Sequence, residues 1–291
     1  MEQQTTNYYV PAQSHWPIVG AVGLLFIAIG AGMTVQQMTS EATSGGWLLA
    51  IGIVIILYMM FGWFNDVIKE SDAGLYSAQM DRSFRQGMSW FIFSEVMFFV
   101  AFFGALFYVR VIAIPWLGGA SNNEMTGQVL WPDFEAIWPL VTTPSGDTTQ
   151  AMGWQGLPLY NTVILLISSI TLHFAHVGLE QNKRKQLTAF LTITVVLGVI
   201  FLFLQAEEYV HAYREMGLTL SAGVYGNTFF LLTGFHGLHV TIGTLMLFVM
   251  LIRVIKGHFS PERHFAFQAT SWYWHFVDVV WLGLFFFVYV L

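Results

Sequence analysis

Cysteine is absent from the 291 residues. That excludes a disulfide framework, a zinc ribbon, an iron–sulfur cluster and thiol catalysis. Charge is scarce: Asp, Glu, Lys and Arg together make up 10% of the chain, against roughly 25% in soluble domains. Positive charge is scarcer still, with 11 Lys and Arg against 17 Asp and Glu and a net charge of −6, so a nucleic-acid partner is not expected. Proline is confined, since five of the eight (Pro115, Pro132, Pro139, Pro144 and Pro158) fall in one stretch. No nucleotide-binding loop, nucleophile elbow or carboxylate pair of the glycosidase kind is present. What remains is apolar: 56% of residues are hydrophobic and 17% aromatic. The natural solvent for such a chain is a bilayer.

A membrane-spanning helix needs about 20 mostly apolar residues, and seven stretches meet that length: Trp16–Gln36, Gly46–Phe64, Ser89–Ile112, Tyr160–Leu179, Leu187–Gln205, Asn227–Ile252 and Ser271–Leu291. The fold class predicted is an all-α polytopic membrane protein. Three parts are expected: residues 1–64 with the first two spans, a charged amphipathic linker over 65–88, and a five-helix bundle over 89–291 with a long external loop at about 113–159. The linkers after the second, fourth and sixth spans hold Lys69, Arg82, Arg85, Lys183, Arg184, Lys185, Arg253, Lys256 and Arg263; only Arg110 and Arg214 lie elsewhere. By the positive-inside rule these three linkers are cytoplasmic, which puts the N-terminus inside and the C-terminus outside. Residues 1–15 lack a positive n-region and a cleavage site, so no signal peptide is expected.

Polar residues within the spans need a reason, because they are costly there. Glu95 has Phe91, Phe98, Phe99 and Phe102 on its helical face. It reads either as a proton-handling or lipid-contacting carboxyl or as a hydrogen bond to a neighbouring helix. His275 and Asp278 are one turn apart, close enough to share a hydrogen bond on one face, either as a packing cluster or on a proton route. His173 with His176, and His236 with His239, place paired imidazoles on one face, but the pairs lie at different depths, so contacts between helices are favoured over a metal or haem. Glu207, Glu208, His211 and Glu215 read as a solvated helix end rather than a cation site. Gly20, Gly23, Ala28 and Gly32 offer small contacts for packing the first helix.

Several stretches together carry a resemblance: Ser94-Glu95-Val96-Met97-Phe98-Phe99, Leu204-Gln205-Ala206-Glu207-Glu208-Tyr209, Gly234-Phe235-His236-Gly237-Leu238-His239-Val240 and Trp272-Tyr273-Trp274-His275-Phe276-Val277-Asp278-Val279-Val280-Trp281. With His15-Trp16-Pro17 and Asp66-Val67-Ile68-Lys69-Glu70-Ser71, they resemble cytochrome c oxidase subunit III of the haem–copper oxidases over nearly the whole chain. The first two spans favour the cytochrome c enzyme over the related quinol oxidase. The long external link points to a bacterial protein, in the plasma membrane rather than the mitochondrial inner membrane.

The resemblance implies a subunit of a proton-pumping terminal oxidase that carries no redox centre of its own. Haem and copper would lie in subunits I and II, with cytochrome c as substrate of the complex and a respiratory supercomplex as a further setting. The chain would pack beside subunit I, sustain proton uptake and protect the oxygen-reducing centre during turnover. Its first two helices would splay from the other five to form a V-shaped cleft filled with phospholipid. Glu70 and Ser71 would meet one lipid head group, Arg253 and His258 the phosphate of another, and Glu95 would face the cleft. Where family members often carry Trp-Trp-Arg, this chain has Trp63-Phe64-Asn65. The alternative is a self-contained transporter or metal-dependent membrane enzyme.

Overall fold

The computed structural model describes Tyr9, residues 13–37 and residues 44–291; most of the stretch read for a signal peptide lies outside them. Seven helices are long and apolar enough to cross a membrane: α1 (Trp16–Gln37), α2 (Ser44–Asp72), α3 (Ala78–Leu117), α4 (Leu157–Glu180), α5 (Arg184–Glu215), α6 (Gly223–Ile255) and α7 (Phe265–Val290). Among the described residues there is no strand, only an isolated bridge between Thr142 and Thr148. The helices outrun the apolar stretches that announced them. Residues 65–88, expected as an amphipathic linker, form the end of α2, a short turn and the start of α3. Gly74 supplies the turn with φ of 71°, a region that a side chain would resist. Near its far end α3 widens into a π turn at Val109–Ala113, two residues before Pro115, whose ring cannot continue regular i−4 bonding.

Two compact units are present, Met1–Phe84 and Arg85–Leu291. In the first, α1 and α2 form a hairpin with their backbones in close approach. A Cβ added at Gly30 would lie 2.3 Å from the backbone N of Leu49, and one at Gly52 would lie 2.7 Å from the N of Ile27. Only glycine fits there. Gly20 and Gly23 face α2, as expected, against Met59 and Ile56. Gly32 instead faces open space and Ala28 is exposed. The contact stripe runs through Gly23 and Gly30, seven residues apart, which keeps one helical face. Trp16 caps the hairpin by donating from Nε1 to Asp66 at 2.9 Å.

In the second unit α4, α5, α6 and α7 close into a ring, each touching the next and α7 returning to α4. Its centre holds Trp274, Trp281, Tyr273, Phe201 and Phe229, all nearly or fully buried. The part of α3 that belongs to this unit adds side chains to the ring: Phe98 meets Phe235 at 5.1 Å between centroids and Phe103 meets Phe287 at 5.8 Å. The long loop after α3 packs on its own bundle. Trp138 lies edge-on to Tyr225, the Met152 N–H donates to the Tyr225 hydroxyl at 2.9 Å, and Thr149 donates to the Met216 carbonyl. At the opposite, basic end, Arg184 donates to the carbonyl of Phe259.

Candidate functional site

The last helix shows why its sequence is so particular. Trp274, Val277, Asp278 and Trp281 recur at i, i+3, i+4 and i+7 and share one inward face. Each polar side chain on that face finds a partner on a neighbouring helix. Trp281 donates to Thr162 at 2.9 Å and Trp274 donates to Ser168 at 3.0 Å. Ser169 donates to Oδ2 of Asp278 at 2.7 Å. His236 of α6, fully buried, bonds through Nε2 to the Val277 carbonyl at 3.1 Å. Three hydroxyls of α4 thus zip it to α7, where unpaired donors would otherwise sit in hydrocarbon.

His275 and Asp278 do not bond to each other, contrary to the expectation from their spacing. Ser169 stands between them, with its Oγ 3.1 Å from His275 Nδ1. With Ser169 donating to the carboxylate, its lone pair accepts Nδ1–H of His275. Asp278 is 7% exposed, and its Oδ1 has no hydrogen-bond partner among the described residues.

Glu95 meets a partner that sequence reasoning had assigned elsewhere. Its Oε2 lies 2.8 Å from Nε2 of His239, while Nδ1 of the same ring lies 2.6 Å from the Phe235 carbonyl. Phe98 and Phe99 flank the imidazole at 5.8 and 5.0 Å. The imidazole thus bridges the Glu95 carboxyl of α3 and a carbonyl of α6, which satisfies polar groups that would otherwise be unpaired among the phenylalanines.

The expected acidic cluster at the end of α5 divides. Glu207, His211 and Glu215 are exposed, with His211 and Glu215 paired at 2.9 Å. Glu208 is instead 1% exposed and accepts from Tyr289 of α7 at 2.8 Å. One residue along a helix turns the side chain by about 100°, enough to move it from solvent to core.

At the basic end Arg253 is buried, with its guanidinium 4.5 Å above the Phe259 ring, and His258, five residues on, is half-buried with its backbone N–H donating to the Arg253 carbonyl at 3.1 Å. In the first unit both oxygens of Glu70 are engaged, Oε1 by the Tyr9 hydroxyl at 3.1 Å and Oε2 by Tyr76 at 2.8 Å. The Tyr76 phenol is pushed well above its ordinary value, first by burial and then by its bond to Glu70. Tyr9 is shifted the same way. Ser71 follows, half-buried, its carbonyl accepting Gly74 N–H at the turn.

Residues 6–291 match the family described as cytochrome c oxidase subunit III. The chain belongs to that family. It is 40% identical to cytochrome c oxidase subunit 3 of Gadus morhua over 290 residues, covering 99% of this chain and 98% of the relative. Identity is 39% to the proteins of the same name from Formosania lacustris and from Hippopotamus amphibius, with the same coverage. The chain is therefore a subunit of a terminal oxidase in the aerobic respiratory chain, a multi-pass membrane protein that works within a proton-pumping complex of several subunits. Subunit III of this family carries no redox centre itself. A self-contained transporter or metal-dependent membrane enzyme is not favoured. The residues that sequence reasoning missed, Ser169, Thr162, Ser168 and Tyr289, are partners of the ones it named. The adjacent Ser168-Ser169 pair inside an apolar span was the signal available.

Proposed function

We propose that the chain takes no part in the oxygen chemistry and supports the oxidase from beside subunit I, with haem and copper held by subunits I and II and cytochrome c as the electron donor. The observation that supports this reading is the use of its membrane-embedded acids. Glu95 is tied to His239 and Asp278 to Ser169, so both serve to lock helices together. In this reading the first two helices splay from the other five around a phospholipid-filled cleft that Glu95 faces. Glu70 and Ser71 touch one head group there, and the half-buried His258 with the edge of Arg253 touches another lipid's phosphate by charge-assisted bonds. The chain sits in a bacterial plasma membrane with its basic links inside, and the complex can join a respiratory supercomplex. His275 and Asp278 influence proton supply only through the shape of the protein around it.

The deciding experiment is oxygen consumption by the complex with and without this chain, followed over many turnovers at several pH values. Initial activity near neutral pH stays within a few-fold of the intact complex, then declines progressively, and the deficit grows at alkaline pH. A depleted complex with no initial activity would require a direct catalytic role and overturn the reading.

A further inference from the structure

We propose a binding site for one divalent transition-metal ion of the zinc class, built from His176, Glu180 and His264 where the end of α4 meets the start of α7. The inference stands apart from the oxidase reading, since it concerns only this chain's own ligand geometry. His176 and Glu180 are one turn apart on α4, and Nε2 of His176 lies 3.8 Å from Oε1 of Glu180. His264 arrives from the residue preceding α7, its ring 5.5 Å from that of His176 and nearly perpendicular to it. One ligand atom from each residue lies within 4.8 Å of the other two. This trio is neither of the His-x-x-His pairs that the sequence offers, because its third member comes from a different helix.

Three further features point to a ligand. Nε2 of His176 is buried and has no hydrogen-bond partner among the described residues, an unsatisfied atom that a bound ion would engage. Nδ1 of His264 is 3.2 Å from the Ser260 carbonyl, which fixes the proton there and leaves Nε2 free, the arrangement that orients ligating imidazoles. The Glu180 side chain is 57% exposed, so it can swing inward. Tetrahedral zinc with ligands at about 2.0–2.1 Å needs donors about 3.3 Å apart, a closure of roughly 1 Å that side-chain rotation supplies. Two imidazoles and one carboxylate suit Zn²⁺, Ni²⁺ or Cu²⁺ rather than Mg²⁺ or Ca²⁺. The basic link Lys183-Arg184-Lys185, which begins three residues after Glu180, reinforces that choice, because it opposes cations held by charge alone. A fourth position stays open to water. Binding would staple the ends of α4 and α7 at the point where His173 and His275 come within electrostatic range of His176.

The test equilibrates the full chain in lipid-supplemented detergent with chelator-buffered Zn²⁺ and measures bound zinc per chain, alongside Glu180→Gln, His264→Gln and a His173→Gln control. One equivalent should bind at micromolar free zinc, with affinity at least tenfold lower in the first two variants and unchanged in the control. Glu180→Gln alters an exposed side chain, so helix content by circular dichroism should match the parent and keep the comparison valid. No bound zinc in the parent, equal affinity in all four proteins, or equal loss in the control would overturn the site.

Discussion

In the α1–α2 hairpin two helices meet backbone to backbone at Gly30 and Gly52, whereas in the α4–α7 ring they are spaced by tryptophan and tyrosine and joined by hydrogen bonds. Buried polar side chains begin only at Asn161 among the described residues; the hairpin keeps its polar contacts at its ends, in Trp16–Asp66 and Glu70–Tyr76. Both devices answer one physical problem. Lipid tails are as apolar as leucine, so helices in a membrane gain little by hiding apolar surface and must associate through close packing or interhelical hydrogen bonds. The hairpin relies on the first and the ring on the second. Added volume should therefore damage the hairpin, and lost polarity should damage the ring.

The largest effect is expected where a ring partner is removed and its mate stays behind. His239→Ala leaves the Glu95 carboxyl among phenylalanines without its bond. Leaving a buried acceptor without its partner costs about 1–3 kcal/mol, and about 3 kcal/mol is expected for a carboxyl whose side chain is only 23% exposed. Glu95→Gln should cost only about 1 kcal/mol, since the amide keeps a hydrogen-bonding group within reach of the imidazole. Thermal unfolding of the two variants in detergent, followed by circular dichroism, reads the difference. Equal losses would mean that the pair does not hold α3 to α6.

For the hairpin the sharper probe is volume. Gly30→Val pushes a side chain into the Leu49 backbone and should cost about 2 kcal/mol. Gly32→Val, two residues along the same helix and facing open space, should fall within about 0.5 kcal/mol. The same unfolding measurement compares them. If both substitutions cost alike, close backbone approach is not what joins α1 to α2.

All seven spans were legible in the sequence because each is a simple sum over about 20 residues, and lipid tolerates little else. Pairings were not. Glu95 was visible as an anomaly on a phenylalanine face, but its partner lies 144 residues away, and nothing in local spacing connects them. His239 was read with His236 because three-residue spacing is what a sequence displays, while the two rings bond to different helices. Glu208 was misplaced for a similar reason, as one of several acids in a row, when a single helical step separates solvent from core. The glycine stripe was nearly read: Gly20 and Gly23 were right, and the seven-residue recurrence in Gly23–Gly30 and Gly45–Gly52 would have replaced Ala28 and Gly32. Local periodicity carries the elements, and cross-chain chemistry carries the site.

The smallest effect separates the polar ends of the hairpin from the polar interior of the ring. Tyr76 donates to Glu70 near water, so Tyr76→Phe should cost under about 0.5 kcal/mol at neutral pH, below the usual range for a hydrogen bond because solvent competes for both groups. Its pH dependence has a definite sign. The folded chain holds the phenol proton more tightly than the unfolded chain, through burial and then the Glu70 carboxylate. The stabilisation is therefore fully present below the ordinary tyrosine value of about 10 and is lost as pH rises through the raised folded value. Tyrosinate absorbance of the folded chain should lose one of its late-ionising phenols in Tyr76→Phe, and the small advantage of the parent should vanish and then reverse as pH rises above about 10. An identical titration curve in both, apart from one ordinary tyrosine, would show that Glu70 and Tyr76 do not hold each other, and the hairpin would then rest on its glycine contacts and on Trp16 alone.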